Sequence, residues 1–265
     1  MAKIDELLAV MAQLRDPVSG CPWDLAQTTQ TIVPHTLEEA YEVADAIERN
    51  NVSDLRDELG DLLFQVVFYA QIAKEAGQFD FNDVVESIVQ KLTRRHPHVF
   101  GSDQISSAQA QTLAWETHKA QERHAKAQTE NRLPSALDDI NVALPALARA
   151  AKIQRRAARV NFDWPSIEPV ADKVQEELEE VRHEIRHNGG FERMQHEIGD
   201  LLFACVNLAR HADIDPESAL RQANNRFELR FRKMEANCSA RGVTFEKATL
   251  EQMEEMWQAV KRELS

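Results

Sequence analysis

A chain of 265 residues with 43% hydrophobic content is long enough for one large or two ordinary domains with proper cores. Only 8 glycines and 9 prolines accompany many Ala, Glu, Leu, Gln and Arg residues, a composition that favours helices and starves hairpin turns. A net charge of −13 repels nucleic-acid phosphates and anionic membranes, so no nucleic-acid or membrane partner is expected; a small phosphorylated ligand needs a metal or a local basic cluster.

In chain order, the first predicted helix is IDELLAVMAQLRD, followed by Cys21-Pro22-Trp23-Asp24. A helical hairpin follows, with LEEAYEV (37–43) on one arm and ELGDLLFQVVFYAQIA (58–73) on the other. Asn50-Asn51 and the capping candidate Ser53 mark its turn. Two further helices carry Lys91 and Arg95, then Trp115 and Lys119, with His96-Pro97-His98 between them; packing or surface roles suit these two histidines better than contact with a ligand, the alternative. Apolar periodicity fades near 124–140, around Pro134. ALARAAKIQRRAARV then opens a second series, with QEELEEV (175–181), the turn His187-Asn188-Gly189-Gly190 and EIGDLLFACVNLARHA (197–212). Arg226 and Arg230, then Trp257 and Lys261, close it.

The chain is therefore written twice. The two 16-residue runs share nine identities without a gap, and both later pairs recur at a spacing of four. Modules at about 1–124 and 136–265 are expected, joined by a linker at 125–135. No window alternates with period two, so the predicted class is all-α. Cys21, Cys205 and Cys238 are far apart, odd in number and form no CxxC pair, which argues against a disulfide framework or zinc ribbon. The absence of an apolar leader or a membrane-length stretch points to a soluble cytoplasmic protein.

The chemistry lies on the paired helices. Glu177 and Glu180 share a helical face, as do Glu197 and Asp200, and a short turn makes the two helices antiparallel neighbours. Glu39, Glu42, Glu58 and Asp61 repeat the pattern. Four converging carboxylates require protonation or a cation, and a hard divalent ion such as Mg²⁺ suits oxygen ligands. Acidic runs are usually solvated helix faces. Here Glu197 and Asp200 abut the apolar LLFACVNLA, and the arrangement recurs at near-identical spacing, which favours a site.

With these motifs in order, the sequence resembles the MazG-type all-α nucleoside triphosphate pyrophosphohydrolases over essentially its whole length. The EE-x-x-E and E-x-x-D pairs, Cys21-Pro22-Trp23-Asp24 and Arg95-His96-Pro97-His98-Val99-Phe100 carry the resemblance. It implies a dimeric helical bundle, a homodimer, with Mg²⁺ on Glu177, Glu180, Glu197 and Asp200. Glu176 is then an outer residue or a helper to the attacking water. Glu39, Glu42, Glu58 and Asp61 are a second candidate set.

Two decoys are set aside. His183-Glu184-Ile185-Arg186-His187 matches HExxH, but the third metzincin ligand would fall on Arg193, and the first module has no counterpart. Glu180-x-x-His183 imitates half of a di-iron site whose other half is missing.

Flanking charges distinguish the modules. Lys173 and Arg193 lie four residues before Glu177 and Glu197, where the first module has His35 and Asp54; Asn224 stands where it has Val89. The second module is therefore expected to hydrolyse nucleoside triphosphates to monophosphate and pyrophosphate, with broad base tolerance. Lys173, Arg193, Asn224, Arg226, Arg230 and Lys261 would contact phosphates, and Trp257 would stack on the base or sit in the core. The competing classes are a non-catalytic acidic interaction or nucleotide-sensing protein, and a phosphatase releasing orthophosphate. Magnesium-dependent pyrophosphate release separates all three.

Overall fold

A computed structural model describes residues 3–102, 107–240, 245 and 248–264, and every regular element among them is a helix. The chain divides into two compact units, 1–118 and 119–265.

In the first unit, α1 (Lys3–Leu14) packs on α4 (Val52–Glu75), which pairs along its length with α3 (Thr29–Glu48). The short α2 (Pro22–Ala26) precedes this hairpin; α5 (Phe81–Arg95) and α6 (Pro97–Phe100) follow it. Helix α7 (Ala108–Thr129) runs across the division between the units and into the segment read as linker. The hairpin turn uses Asn50 at φ 54. Asn51, not Ser53, caps α4: its side-chain oxygen accepts from the N–H groups of Ser53 and Asp54, both at 3.2 Å. Ser53 cannot serve, because the helix has already begun at Val52 and a cap must precede the first turn.

Met11, Ile32, Val67 and Phe68 form the core of this unit, with Phe64 set edge-on to Phe68 at 5.8 Å. The buried Arg15 closes one end. Its guanidinium lies 5.5 Å over the Phe68 ring, is held by the Glu75 carboxylate and donates to the carbonyls of Asp24 and Gln27. One side chain thus ties the end of α1 to α2 and to the end of α4.

The second unit repeats the plan. Helix α9 (Glu168–His187) pairs with α10 (Gly190–His211), and α8 (Ala146–Ala158) packs on α10. Helices α11 (Pro216–Ala240) and α12 (Leu250–Glu263) pack on each other. At the turn, Asn188 caps the end of α9 in the left-handed conformation (φ 49), and Gly190, also left-handed (φ 82), opens α10. Here Ala151, Val170, Ala204 and Val206 are buried.

Some apolar faces are uncovered. Val85, Ile88, Val89 and Leu92 lie along one side of α5 and are all exposed, as are Leu59 and Leu63 on α4 and Ile198 and Leu202 on α10. All three cysteines are free. Among the described residues no helix is long and apolar enough to cross a membrane.

Candidate active site

The α9–α10 hairpin sets the site. Glu177 and Glu180 rise from the middle of α9, Glu197 and Asp200 from α10, and antiparallel packing turns the two faces together. Glu177, Glu197 and Asp200 bring one oxygen each to within 4.8 Å of one another. Glu180 stands beside this trio rather than in it, and the Glu177 charge, followed by burial and the Glu197 charge, raises its pKa. In the first unit a different trio converges, Glu39, Glu42 and Glu58, the counterparts of Glu177, Glu180 and Glu197. Asp61 stands beside them: its charge adds to burial in raising the pKa of Glu39, and follows burial and Glu42 in raising that of Glu58.

Glu177 is only 6% exposed, and its buried Oε2 has no hydrogen-bond partner. A buried carboxylate oxygen left bare among like charges is costly. A hard divalent cation accepting these oxygens would remove the cost, so the donor set fits magnesium. Lys173 partly fills that need here: its ammonium lies 2.7 Å from Glu176 Oε1 and 2.8 Å from Glu177 Oε1, and these bonds raise its pKa.

A cavity of about 360 Å³ opens beside the carboxylates. Lys173, Glu177 and Asp200 form part of its wall. Phe162, Trp164, Phe203, Ile153 and Val170 give it an apolar body, and Gln154, Asn207, Asp163 and Arg210 add polar groups. Sequence reasoning missed this compartment: Phe162 and Trp164 were not singled out, and Phe203 reads from the sequence as core. The signal available was the repeat itself: four and seven residues after the acid that closes E-x-x-D, the second module has Ala204 and Asn207 where the first has Gln65 and Phe68.

The other expected site residues are placed as follows. Arg193 is exposed in the first turn of α10, one turn before Glu197. Glu176 is exposed and receives the Lys173 bond. Asn224, Arg226 and Arg230 lie on α11, and Trp257 and Lys261 on α12. None of these five lines the cavity, and Trp257 packs against Phe227 with ring centroids 5.1 Å apart. The HExxH histidines stack on each other at 4.1 Å, and neither belongs to a ligand cluster among the described residues.

Comparison with known proteins agrees with this geometry. The MazG nucleotide pyrophosphohydrolase domain matches twice, at residues 27–100 and 166–234, each time spanning a carboxylate hairpin. The chain is 54% identical over 264 residues to a nucleoside triphosphate pyrophosphohydrolase of Escherichia coli K12, covering 99% of this chain and 98% of that one. It is 42% identical over 257 residues to the nucleoside triphosphate pyrophosphohydrolase/pyrophosphatase MazG of Thermotoga maritima, covering 97% and 95%. A Mycobacterium tuberculosis nucleoside triphosphate pyrophosphohydrolase is 38% identical over 162 residues, covering 60% of this chain and 46% of its own. With two domain matches and relatives similar from end to end, this chain belongs to the MazG nucleotide pyrophosphohydrolase family.

Proposed function

We propose that the chain hydrolyses nucleoside triphosphates to monophosphate and pyrophosphate, chiefly in its second module, with magnesium on Glu177, Glu180, Glu197 and Asp200. The observation that carries this reading is that Glu177 and Asp200 belong both to the acidic cluster and to the wall of an apolar cavity. A nucleoside triphosphate is divided in the same way: its phosphates demand cations, and its base demands an apolar, aromatic compartment. The names of the full-length relatives support the same activity.

Bound magnesium supplies Lewis-acid polarisation of phosphate oxygens and makes water acidic enough to attack at neutral pH. The protein's own groups do the rest. Lys173, kept protonated by its carboxylate neighbours, exchanges a carboxylate for a phosphate oxygen when substrate enters. Glu176, exposed beside it, accepts the proton of the attacking water. Arg193 offsets charge on the departing pyrophosphate, and Asn224, Arg226, Arg230 and Lys261 are proposed contacts for the outer phosphates. Stacking on Phe162 or Trp164, in place of Trp257, gives broad base tolerance because an aromatic face reads no hydrogen-bond code.

Products identified after incubation with a panel of triphosphates and magnesium test the reading. Monophosphate and pyrophosphate are expected, with Glu197→Gln or Asp200→Asn losing roughly 100-fold or more in turnover while helicity is retained. Orthophosphate as the sole inorganic product would make the chain a phosphatase, and no magnesium-dependent turnover would make it a binding protein. The uncovered faces of α4, α5 and α10 support a homodimer in which a second copy covers them. A single-chain mass at micromolar concentration would rule that out.

A further inference from the structure

The loop between α8 and α9 carries Phe162 and Trp164, the two aromatic residues of the cavity wall that no helix holds. Its first part is fixed locally. Asn161 turns the chain at φ 65, and the Phe162 N–H donates back to the Ala157 carbonyl at 3.1 Å. Phe162 remains 79% exposed and Trp164 40% exposed, so packing alone does not hold either ring in place.

What fastens the loop to α10 lies between those rings. The Asp163 carboxylate accepts both terminal nitrogens of Arg210, one of them at 2.9 Å, and the ring Nε2 of His211 at 3.0 Å. Arg210 is aimed in turn by Asn207, whose Oδ1 accepts from Nε at 2.8 Å. A two-pronged guanidinium–carboxylate pair fixes orientation as well as distance. Asp163, Arg210 and Asn207 all line the cavity. The pairing with Arg210 holds the Asp163 carboxyl below its ordinary range, so it is ionised at neutral pH. It lies on a different element from the metal-ligand candidates, more than ten residues away from any of them.

We propose that Asp163 is a positioning residue: by gripping Arg210 it holds the Phe162–Trp164 wall over the cavity and so sets how tightly the nucleoside part of the substrate is held. The proposal rests on the reading that the nucleoside enters this cavity. It concerns the nucleoside alone, since Asp163 is acidic and would not attract phosphate. Loss of the grip therefore weakens binding of nucleotides and leaves the metal–phosphate contacts at the other end intact.

The test compares a nucleoside triphosphate with inorganic tripolyphosphate, which carries the phosphates without a nucleoside. In the full-length protein with magnesium, Asp163→Ala should raise KM for ATP about tenfold and leave kcat within about twofold. The inhibition constant of tripolyphosphate against ATP turnover should not change. Asp163→Asn, which keeps an oxygen for Arg210, should recover most of the KM. Equal weakening of ATP and tripolyphosphate would overturn the proposal in favour of general destabilisation, and an unchanged KM would overturn it outright. If the unaltered protein binds tripolyphosphate as tightly as ATP, the cavity does not hold the nucleoside, and the underlying reading fails rather than the role of Asp163.

Discussion

The two modules have the same carboxylate hairpin and differ in what lies beneath it. In the second, Ala204 and Asn207 leave a compartment open to Phe203 and Trp164. In the first, Phe68 occupies the position of Asn207, is 1% exposed, and meets Phe64 and Arg15 where the other module has space. Gln65 replaces Ala204, is buried, and donates to Glu39 at 3.4 Å. On the proposed reading, metal ligands alone do not make a nucleotide site, and the helix positions one and two turns further on set whether a base has somewhere to go.

The loops differ in the same direction. In the first module the cation sits at the end of α1 and the acid on α4, and Arg15 spends its remaining bonds on the backbone of Asp24 and Gln27. In the second, the acid is on the loop and the cation on α10, and the pair borders the cavity. One arrangement seals an interior, and the other frames an opening.

The most severe test of this contrast removes equivalent ligands side by side. Glu180→Gln should lower turnover by roughly 100-fold, the scale of losing a charge partner in the transition state, whereas Glu42→Gln should cost less than about twofold. Equal losses would show that both modules work, and a larger loss from Glu42→Gln would reverse the assignment. A smaller effect comes from exchanging the positions that differ. Ala204→Gln, which copies the first module into the second, should raise KM for nucleotides about tenfold as the cavity fills. Gln65→Ala should leave turnover unchanged, because Phe68 still occupies the first module. If Ala204→Gln proved silent, the compartment would not be the distinguishing feature.

Much of the fold was legible in the sequence because its signals are local or repeated. The 58–73 and 197–212 runs, the Asn-Gly turn and the three- and four-residue spacings of acids each report on a single helix or hairpin. Three of the four expected ligands in each module converge. The cavity was not legible, because Phe162, Asp163 and Arg210 come together across 47 residues of chain and carry no periodicity. For Trp257 the sequence leaves base stacking and a place in the core equally open. In the fold it packs on Phe227, a neighbour on another helix that spacing cannot reveal. Phe68 and Asn207 were visible as a difference within the repeat, but only packing shows that one fills what the other leaves open.

The open compartment also affects how the molecule responds to heat. Side chains bordering a void forgo the dispersion contacts that Phe68, Met11 and Ile32 make with one another in the first unit. On the proposed reading, a bound nucleotide would complete part of the packing that the second unit leaves open. A nucleotide present at a hundred times its dissociation constant adds about 2.7 kcal/mol to whatever unit binds it. Nucleotide with magnesium should therefore raise the melting temperature of the unit built around α8 to α12 and leave the other where it was.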